Sequence, residues 1–531
     1  MQRPMRLLVV TMLTVAAASP ANSQTETEIA PALKCERLTE LKVANSTLVI
    51  TRAEAIAEAA PGTVKVRPTL PDVVGVAIPS HCRIEGEIDR RTGIDGKPFS
   101  IGFAIALPDR WNGRFLFQGG GGLNGEIRAP LGADASGESP ALARGFVVVS
   151  TDSGHQGGSY DNSFLKDQEA TLNFAFASVG KVTAAAKAIV ASYFGRPPRY
   201  SYFVGCSTGG REAMLAASRY PADFDGVVSG DPAMRTGYSN FGLAWANAAF
   251  NEIAPNDASG KPDAANAYTA SDRKLVTNAI LSACDANDGL KDGLIFNPKA
   301  CRFDPASLVC KGAKSDACLS PQQAAALKKA FEGATNSRNK KVYTAFPWDS
   351  GIAAEGVTIP GILVTGAKTR SGATASGKID VDQAEDALAA DGPQALRDTA
   401  GWTNLNSFFG RGGKILFYHG WSDPWFSPLD TLQYYEQMAK DSGGMEHVRA
   451  SASRFFAVPG MGHCRSGDAL DRFDLLSAVV GWVENAKAPD AVVATGAALP
   501  GRSRPLCAWP KYAHYKGQGD QNDASSFECR E

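Results

Sequence analysis

The chain has almost no charge imbalance. Lys and Arg total 54, Asp and Glu total 55, so nothing points to nucleic acid, and no like-charged run suggests a polybasic membrane patch. After the first two dozen residues, no segment carries the roughly 18 uninterrupted apolar residues that crossing a bilayer requires. No C-x2-C pair occurs, which argues against zinc thiolates. No internal repeat is seen. Aromatics are missing over a long interior stretch: from Ser350 to Gly401 there is not one.

What is present starts with a leader. Arg3 and Arg6 precede an apolar run from Leu7 to about Ala18, and small residues follow at Ala21 and Ser23. That order predicts a secretory signal over 1–23, cut after Ser23, and a soluble protein that is secreted or periplasmic. The ten cysteines fit such an oxidising compartment and predict five disulfides. Nearness in sequence suggests Cys284–Cys301, Cys310–Cys318 and Cys507–Cys529.

Strand patterns appear at Ile101–Leu107, Arg114–Gln118, Gly145–Thr151, Tyr200–Val204 and Gly226–Ser229. Helix patterns cover about Leu172–Phe194 and Gly209–Arg219. Continuous apolar strands alternating with helices predict an α/β fold, a mostly parallel sheet covered on both faces. The pattern stops near Pro232 and resumes at Lys414–His419 and Arg454–Val458. The expected organisation is a core in two parts, 24–232 and 413–531, split by a lid domain over 233–412.

Gly205-Cys206-Ser207-Thr208-Gly209 is the chain's G-x-S-x-G match, placed between a strand and a helix. Such a turn lifts a serine hydroxyl off the sheet edge. A serine needs a base, and the expected chain order is serine, acid, histidine. Of six histidines, His463 lies in a Gly-rich loop after a late strand. Asp423 is the first carboxylate after the preceding strand, with Asp430 as the alternative. Cys206 precedes the serine and Cys464 follows the histidine. A disulfide holds its Cα atoms within about 7 Å, as a Ser–His hydrogen bond would, so a Cys206–Cys464 bridge is expected. The oxyanion formed by attack needs two donors. Thr208 N–H is one, and Gly120 or Gly121, within Gly119–Gly122, is expected to supply the other. A phosphate-cradling loop is the rival reading of these glycines, but no Lys-Ser/Thr follows.

Asp285, Asp288 and Asp292, interleaved with Gly289 and Gly293, fit a loop around a hard cation. They fit a polar turn clipped by Cys284–Cys301 equally well.

The Cys-Ser, Asp and His-Cys set resembles the tannase and feruloyl esterase family, as do Phe346–Gly351 and Arg504–Cys507. The likeness extends over essentially the whole mature chain. It implies a secreted serine esterase on an α/β-hydrolase core with a large lid, and Ser207, Asp423 and His463 as its triad. It implies structural Ca2+ in the lid, held by Asp285, Asp288 and Asp292 side chains and by the carbonyls of Leu290 and Leu294. It also implies the remaining disulfide, Cys35–Cys82.

The expected activity is hydrolysis of small-molecule esters of aromatic acids, feruloyl-type first, with galloyl esters or terephthalate mono-esters as alternatives. The terephthalate group shares Phe426, but it uses a lid arginine with aromatic flanks, which Arg370 and Arg397 lack here. Trp425, Phe426, Trp402, Phe408 and Tyr238 are candidate pocket walls. A non-catalytic exported binding protein and a peptidase are the rivals of other classes.

Overall fold

Strands buried on both faces must be apolar throughout, and the centre of the sheet follows that rule. In the computed structural model, which describes residues 28–44, 46–66, 72–353 and 378–531, nine strands form one sheet. In chain order they are β1 (Val49–Ile56), β2 (His81–Thr92), β3 (Pro98–Pro108), β4 (Arg114–Gln118), β5 (Val147–Thr151), β6 (Tyr200–Cys206), β7 (Gly226–Gly230), β8 (Lys414–Gly420) and β9 (Ser453–Val458). The spatial order is β1-β2-β3-β5-β4-β6-β7-β8-β9. β1, β2, β3 and β5 pair antiparallel, and β5 through β9 run parallel. β5 and β7 are buried at every residue.

The seven strands expected from sequence are present, most of them one to three residues longer or shorter than the pattern suggested. β1 and the alternating β2 add an antiparallel flank. The proposed leader cleavage, the position of Arg370 and half of the aromatic-free stretch lie outside the described residues.

The helix Ser178–Phe194 turns Val179, Val182, Ala186, Ile189 and Val190 inward, a spacing that keeps one face on the sheet. It closes on Gly195 in the left-handed region, where a side chain would be strained. With the preceding turns it makes a run, Gln168–Phe194, long and apolar enough to cross a membrane, but more than half of its apolar window is buried inside the protein.

β7 and β8 are adjacent in space although 183 residues separate Gly230 from Lys414. Helices Thr236–Asn251, Ala270–Cys284 and Pro321–Glu332 fill part of that insertion around their own apolar cluster, which includes Phe250, Tyr268, Leu327 and Phe331. After β9, two small antiparallel sheets close the chain: Arg472–Phe473 with Ala491–Thr495 and Arg504–Cys507, and Tyr512–Tyr515 with Phe527–Arg530. All ten cysteines are paired: 35–82, 206–464, 284–301, 310–318 and 507–529.

Candidate active site

The parallel strands β6, β7 and β8 end together, and their carboxyl ends deliver Ser207, Asp231 and the loop carrying Asp423. Ser207 has φ 65° and ψ −123°, in the left-handed half of the map, a conformation that costs a non-glycine residue about 1–3 kcal/mol. Two backbone bonds hold it: Ser207 N–H donates to Gly230 O at 3.0 Å, and Ala233 N–H donates to Ser207 O at 3.0 Å. The helix Thr208–Arg219 starts directly behind it and presents the positive end of its dipole to the serine.

That sharp turn depends on glycine at Gly205 and Gly209. A Cβ on Gly205 would lie 2.6 Å from the Gly209 backbone, and one on Gly209 would lie 2.9 Å from Gly120 O. The Gly-rich loop after β4 therefore rests on the serine turn itself.

Glu212, one turn into the helix and 1% exposed, reaches back to that loop. Its carboxylate accepts from Gly120 N–H at 2.8 Å, from the Asn124 amide at 2.7 Å and from Ser153 Oγ at 3.1 Å. This corrects one expectation: the Gly120 N–H is engaged by Glu212 and is not available to a substrate oxygen. Thr208 Oγ1 donates to Gly122 O from the other side.

On the base side, His463 Nδ1 lies 2.7 Å from Asp423 Oδ2. Asp423 is 1% exposed. Its other oxygen, Oδ1, accepts from the backbone N–H groups of Trp425 at 2.8 Å and Phe426 at 3.2 Å. A second imidazole meets the same carboxylate, with His419 Nε2 3.2 Å from Asp423 Oδ2. Burial alone would raise this acid; the charge of His463 and the hydrogen bonds from both imidazoles instead hold it well below the usual carboxylate range. The Cys206–Cys464 bridge, with Cα atoms 5.9 Å apart, ties the serine turn to the histidine loop.

Asp430 is placed elsewhere. It pairs with Arg235 through Nε at 2.9 and 3.0 Å and also through Nη2. Nor does Asp423 cap the following helix, because Ser427 does. The other histidines are accounted for: His81 bonds Pro79 O at 2.8 Å, His155 stacks on Phe164, His447 is exposed on the helix Met445–Ser451, and His514 lies beside Gly289.

Among the pocket candidates, the rings of Trp425 and Phe426 lie 4.9 and 5.2 Å from that of His463. Phe408 is a correction: it is fully buried in the main core against Gly413. Trp402 is another. It stacks under Arg219, at the end of the helix remote from Ser207, because the chain there packs on the outer surface of that helix. Tyr238 lies in the insertion's first helix under Arg235.

The insertion also clasps the site. Asp349, fully buried, accepts from Ser422 Oγ at 2.6 Å and Gly460 N–H at 2.7 Å, one group from each loop that carries Asp423 and His463. Sequence reasoning missed Asp231, Glu212, Asp349 and the role of His419. For Asp231 a signal existed: like Asp423, it is the first carboxylate past the end of a central strand.

In the acidic loop, Asp285 accepts from the N–H groups of Asp292 at 3.3 Å and Gly293 at 3.1 Å, and Asp288 from Leu290 at 3.2 Å and Phe296 at 2.9 Å. Asp292 accepts from Leu294 N–H at 3.2 Å and pairs with the guanidinium of Arg504. Burial, then the charges of Asp292 and Asp285, pushes the Asp288 carboxyl up to about 7; Asp285 is raised by burial and by the charge of Asp292. Three crowded acids with one guanidinium fit a hard cation.

The sequence profile described as "Tannase and feruloyl esterase" matches residues 82–530. The mono(2-hydroxyethyl) terephthalate hydrolase of Piscinibacter sakaiensis is 37% identical over 85% of each chain. A probable feruloyl esterase of Arthroderma benhamiae is 31% identical over 80% of this chain and 81% of its own. In fold, the chain is similar to the crystal structure of feruloyl esterase B from Aspergillus oryzae, with a TM-score of 0.73 and 24% identity over 94% of this chain and all of that one. It is likewise similar to tannin acyl hydrolase from Aspergillus niger, with a TM-score of 0.70 and 20% identity over 95% and 96%. A profile match spanning the sheet from β2 to the last strand, with relatives of this identity and coverage, makes the chain an α/β-hydrolase-fold carboxylic ester hydrolase of the tannase and feruloyl esterase family.

Proposed function

We propose that the protein is an exported serine esterase that cleaves small esters of aromatic acids. The single observation that carries this reading is the Asp423–His463 pair at 2.7 Å, on a loop bonded through Cys464 to the residue preceding Ser207. Asp423 holds Nδ1–H, so Nε2 is the basic nitrogen. Ser207 Oγ attacks the ester carbonyl as its proton passes to His463. The oxyanion takes the N–H of Thr208 and of Gly121, since Gly120 is already bonded to Glu212. His463 then protonates the leaving alcohol, the acyl-serine forms, and a water deprotonated by His463 releases the acid. Trp425 and Phe426, beside the imidazole, supply flat apolar walls suited to an aromatic acyl group.

Feruloyl-type esters are the leading class. A terephthalate mono-ester is the second reading, favoured by the identity with the Piscinibacter enzyme and by Phe426 beside the base. Five disulfides support an oxidising, secreted or periplasmic location. Ca2+ is the proposed ion of the acidic loop. Asp285, Asp288 and Asp292, with the carbonyls of Leu290 and Leu294, would hold it, and its contribution there is to stiffen the loop.

The test is hydrolysis of methyl ferulate, methyl gallate, chlorogenate and mono(2-hydroxyethyl) terephthalate, with casein as a peptidase control. At least one aryl ester is turned over, and Ser207→Ala lowers kcat by at least about 10⁴-fold. Cleavage of short aliphatic esters alone would overturn the aromatic assignment. A serine-directed phosphonate that failed to label Ser207 would overturn the esterase reading in favour of a binding protein.

A further inference from the structure

Behind His463 stands a carboxyl group that the acyl-transfer steps do not use. Asp231 follows β7, the strand between those that carry Ser207 and Asp423, and it is fully buried. One carboxylate oxygen of Asp231, one of Asp423 and a ring nitrogen of His463 all lie within 4.8 Å of one another. Asp231 Oδ1 accepts from Gly420 N–H at 2.9 Å and lies 3.6 Å from His419 Nε2. Oδ2 lies 3.5 Å from Cys206 Sγ. His419 is bound from all sides, by Thr431 Oγ1 at 2.9 Å on Nδ1 and by Phe426 O at 3.0 Å and Asp423 at 3.2 Å on Nε2.

The backbone of Asp231 has φ 37°, on the positive side where Asp and Asn are tolerated better than other residues with side chains. Filling a Gly420 amide does not require a strained, fully buried acid next to another acid. A site that presents two carboxyls to one imidazole does.

We propose that Asp231 is a reserve acid for His463: a positioning carboxyl, brought by the neighbouring strand to within 4.8 Å of a ring nitrogen of the imidazole, that stands in for Asp423 when Asp423 is lost. This deepens the esterase reading and rests on it. In the intact protein burial, and then the charge of Asp423 and a hydrogen bond to it, push the Asp231 carboxyl up to about 8, which favours the protonated form at neutral pH; the charge of His419 opposes this. Removing Asp423 removes both its charge and its hydrogen bond to Asp231, and leaves burial opposed by the charge of His419. Asp231 then ionises, its proton going to solvent, and as a carboxylate it accepts the Nδ1–H of His463 and balances the imidazolium formed when Ser207 gives up its proton. His419 Nε2 lies beside both acids, 3.6 Å from Asp231 and 3.2 Å from Asp423.

The experiment compares wild type, Asp423→Ala, Asp231→Asn and the double variant on the best aryl ester of the panel. Alanine at 423 leaves room for Asp231 to close on the ring, and asparagine at 231 suits the positive φ. Loss of a triad acid alone costs about 3 × 10⁴ in kcat in a subtilisin. Here Asp423→Ala is expected to cost only about 10²-fold with KM nearly unchanged, Asp231→Asn a few-fold, and the double variant about 10⁴-fold. A double variant no worse than the product of the two single effects would overturn the proposal.

A second readout uses only Asp423→Ala, so it survives if Asp231→Asn does not fold. The downfield proton resonance of His463 Nδ1–H persists in Asp423→Ala if Asp231 has taken over, and its disappearance there would overturn the proposal. Failure of the broader reading looks different: wild type itself would leave every aryl ester intact.

Discussion

Carboxylates cluster in two places that differ in how they are satisfied, one at the sheet edge and one in the acidic loop. At the sheet edge, Asp423, Asp349 and Glu212 are met by imidazoles, hydroxyls, amides and backbone N–H groups of the chain itself. In the acidic loop, Asp285, Asp288 and Asp292 repel one another and have Arg504 as the guanidinium partner. A buried charge is tolerable only when paired or well hydrogen-bonded. Asp423 and Glu212 therefore take their partners from the chain itself, whereas the loop is short of positive charge.

Breaking the guanidinium contact attacks the loop hardest. Arg504 is 1% exposed, pairs with Asp292 and stacks on Phe527. Arg504→Gln is expected to cost about 3–5 kcal/mol, the usual loss when a buried pair is broken from one side, read as a lower midpoint in guanidinium unfolding. An unchanged midpoint would mean that the loop does not lean on Arg504.

The counterpart at the catalytic end is Glu212→Gln. It removes charge from the acceptor of Gly120, Asn124 and Ser153 without emptying the space, so the oxyanion loop loses its anchor while the binding walls stay. About 10²-fold lower kcat with little change in KM is expected, the scale of one oxyanion donor. Affinity for an aryl boronate, which mimics the tetrahedral adduct, should fall in parallel. A rise in KM alone would contradict the anchoring role.

Chelation separates the two regions most directly. Excess EGTA should lower the thermal midpoint by several degrees, consistent with the ~3 kcal/mol that a ligand at 100 times its Kd contributes. At 20 °C, kcat should stay within about twofold, because the catalytic groups take their partners from the chain. Loss of activity without loss of stability would refute the division drawn here.

The smallest expected effect concerns a third arrangement. Asp167 is paired with Arg91, at 3.0 Å through Nη1, and accepts from Ala170 and Ile94 N–H. The Arg91 guanidinium holds its carboxyl well below the usual range. A depressed acid stabilises the fold above its unfolded value near 4, and that contribution disappears as the pH drops toward the folded value. Asp167→Asn should thus be slightly less stable than wild type at pH 7, with the gap narrowing as the pH falls below about 4, by thermal melts at both ends.

Much of this arrangement could be read from the chain before folding. β4 to β9 are apolar because both faces are covered, and a run such as Phe146–Val149 has little alternative. Gly205 and Gly209 betray a turn that no side chain would allow, and the two cysteines flanking serine and histidine imply the contact between loops.

What could not be read depends on contacts across the fold. Glu212 looks like any helical glutamate until the Gly119–Gly122 loop is laid upon it. Asp349 becomes informative only when the insertion folds back, and Asp231, although placed like Asp423 just past a strand, meets its partners only when β7 lies beside β8. Phe408 and Trp402 were misplaced because composition marks an aromatic residue as apolar but not which surface it faces. The antiparallel flank at β1 had too weak an alternation to stand out.

The bond from Cys206 to Cys464 has one further consequence. It joins positions 258 apart, so Ser207 and His463 lie at the two ends of one long loop, and closing it takes an electron acceptor, because two thiols lose two electrons and two protons in forming the bond. Where the chain is synthesised, among free thiols, that loop stays open and the hydroxyl is not clamped to its imidazole. The geometry of the site would thus be completed only once the bond has formed, and reduction would loosen it again.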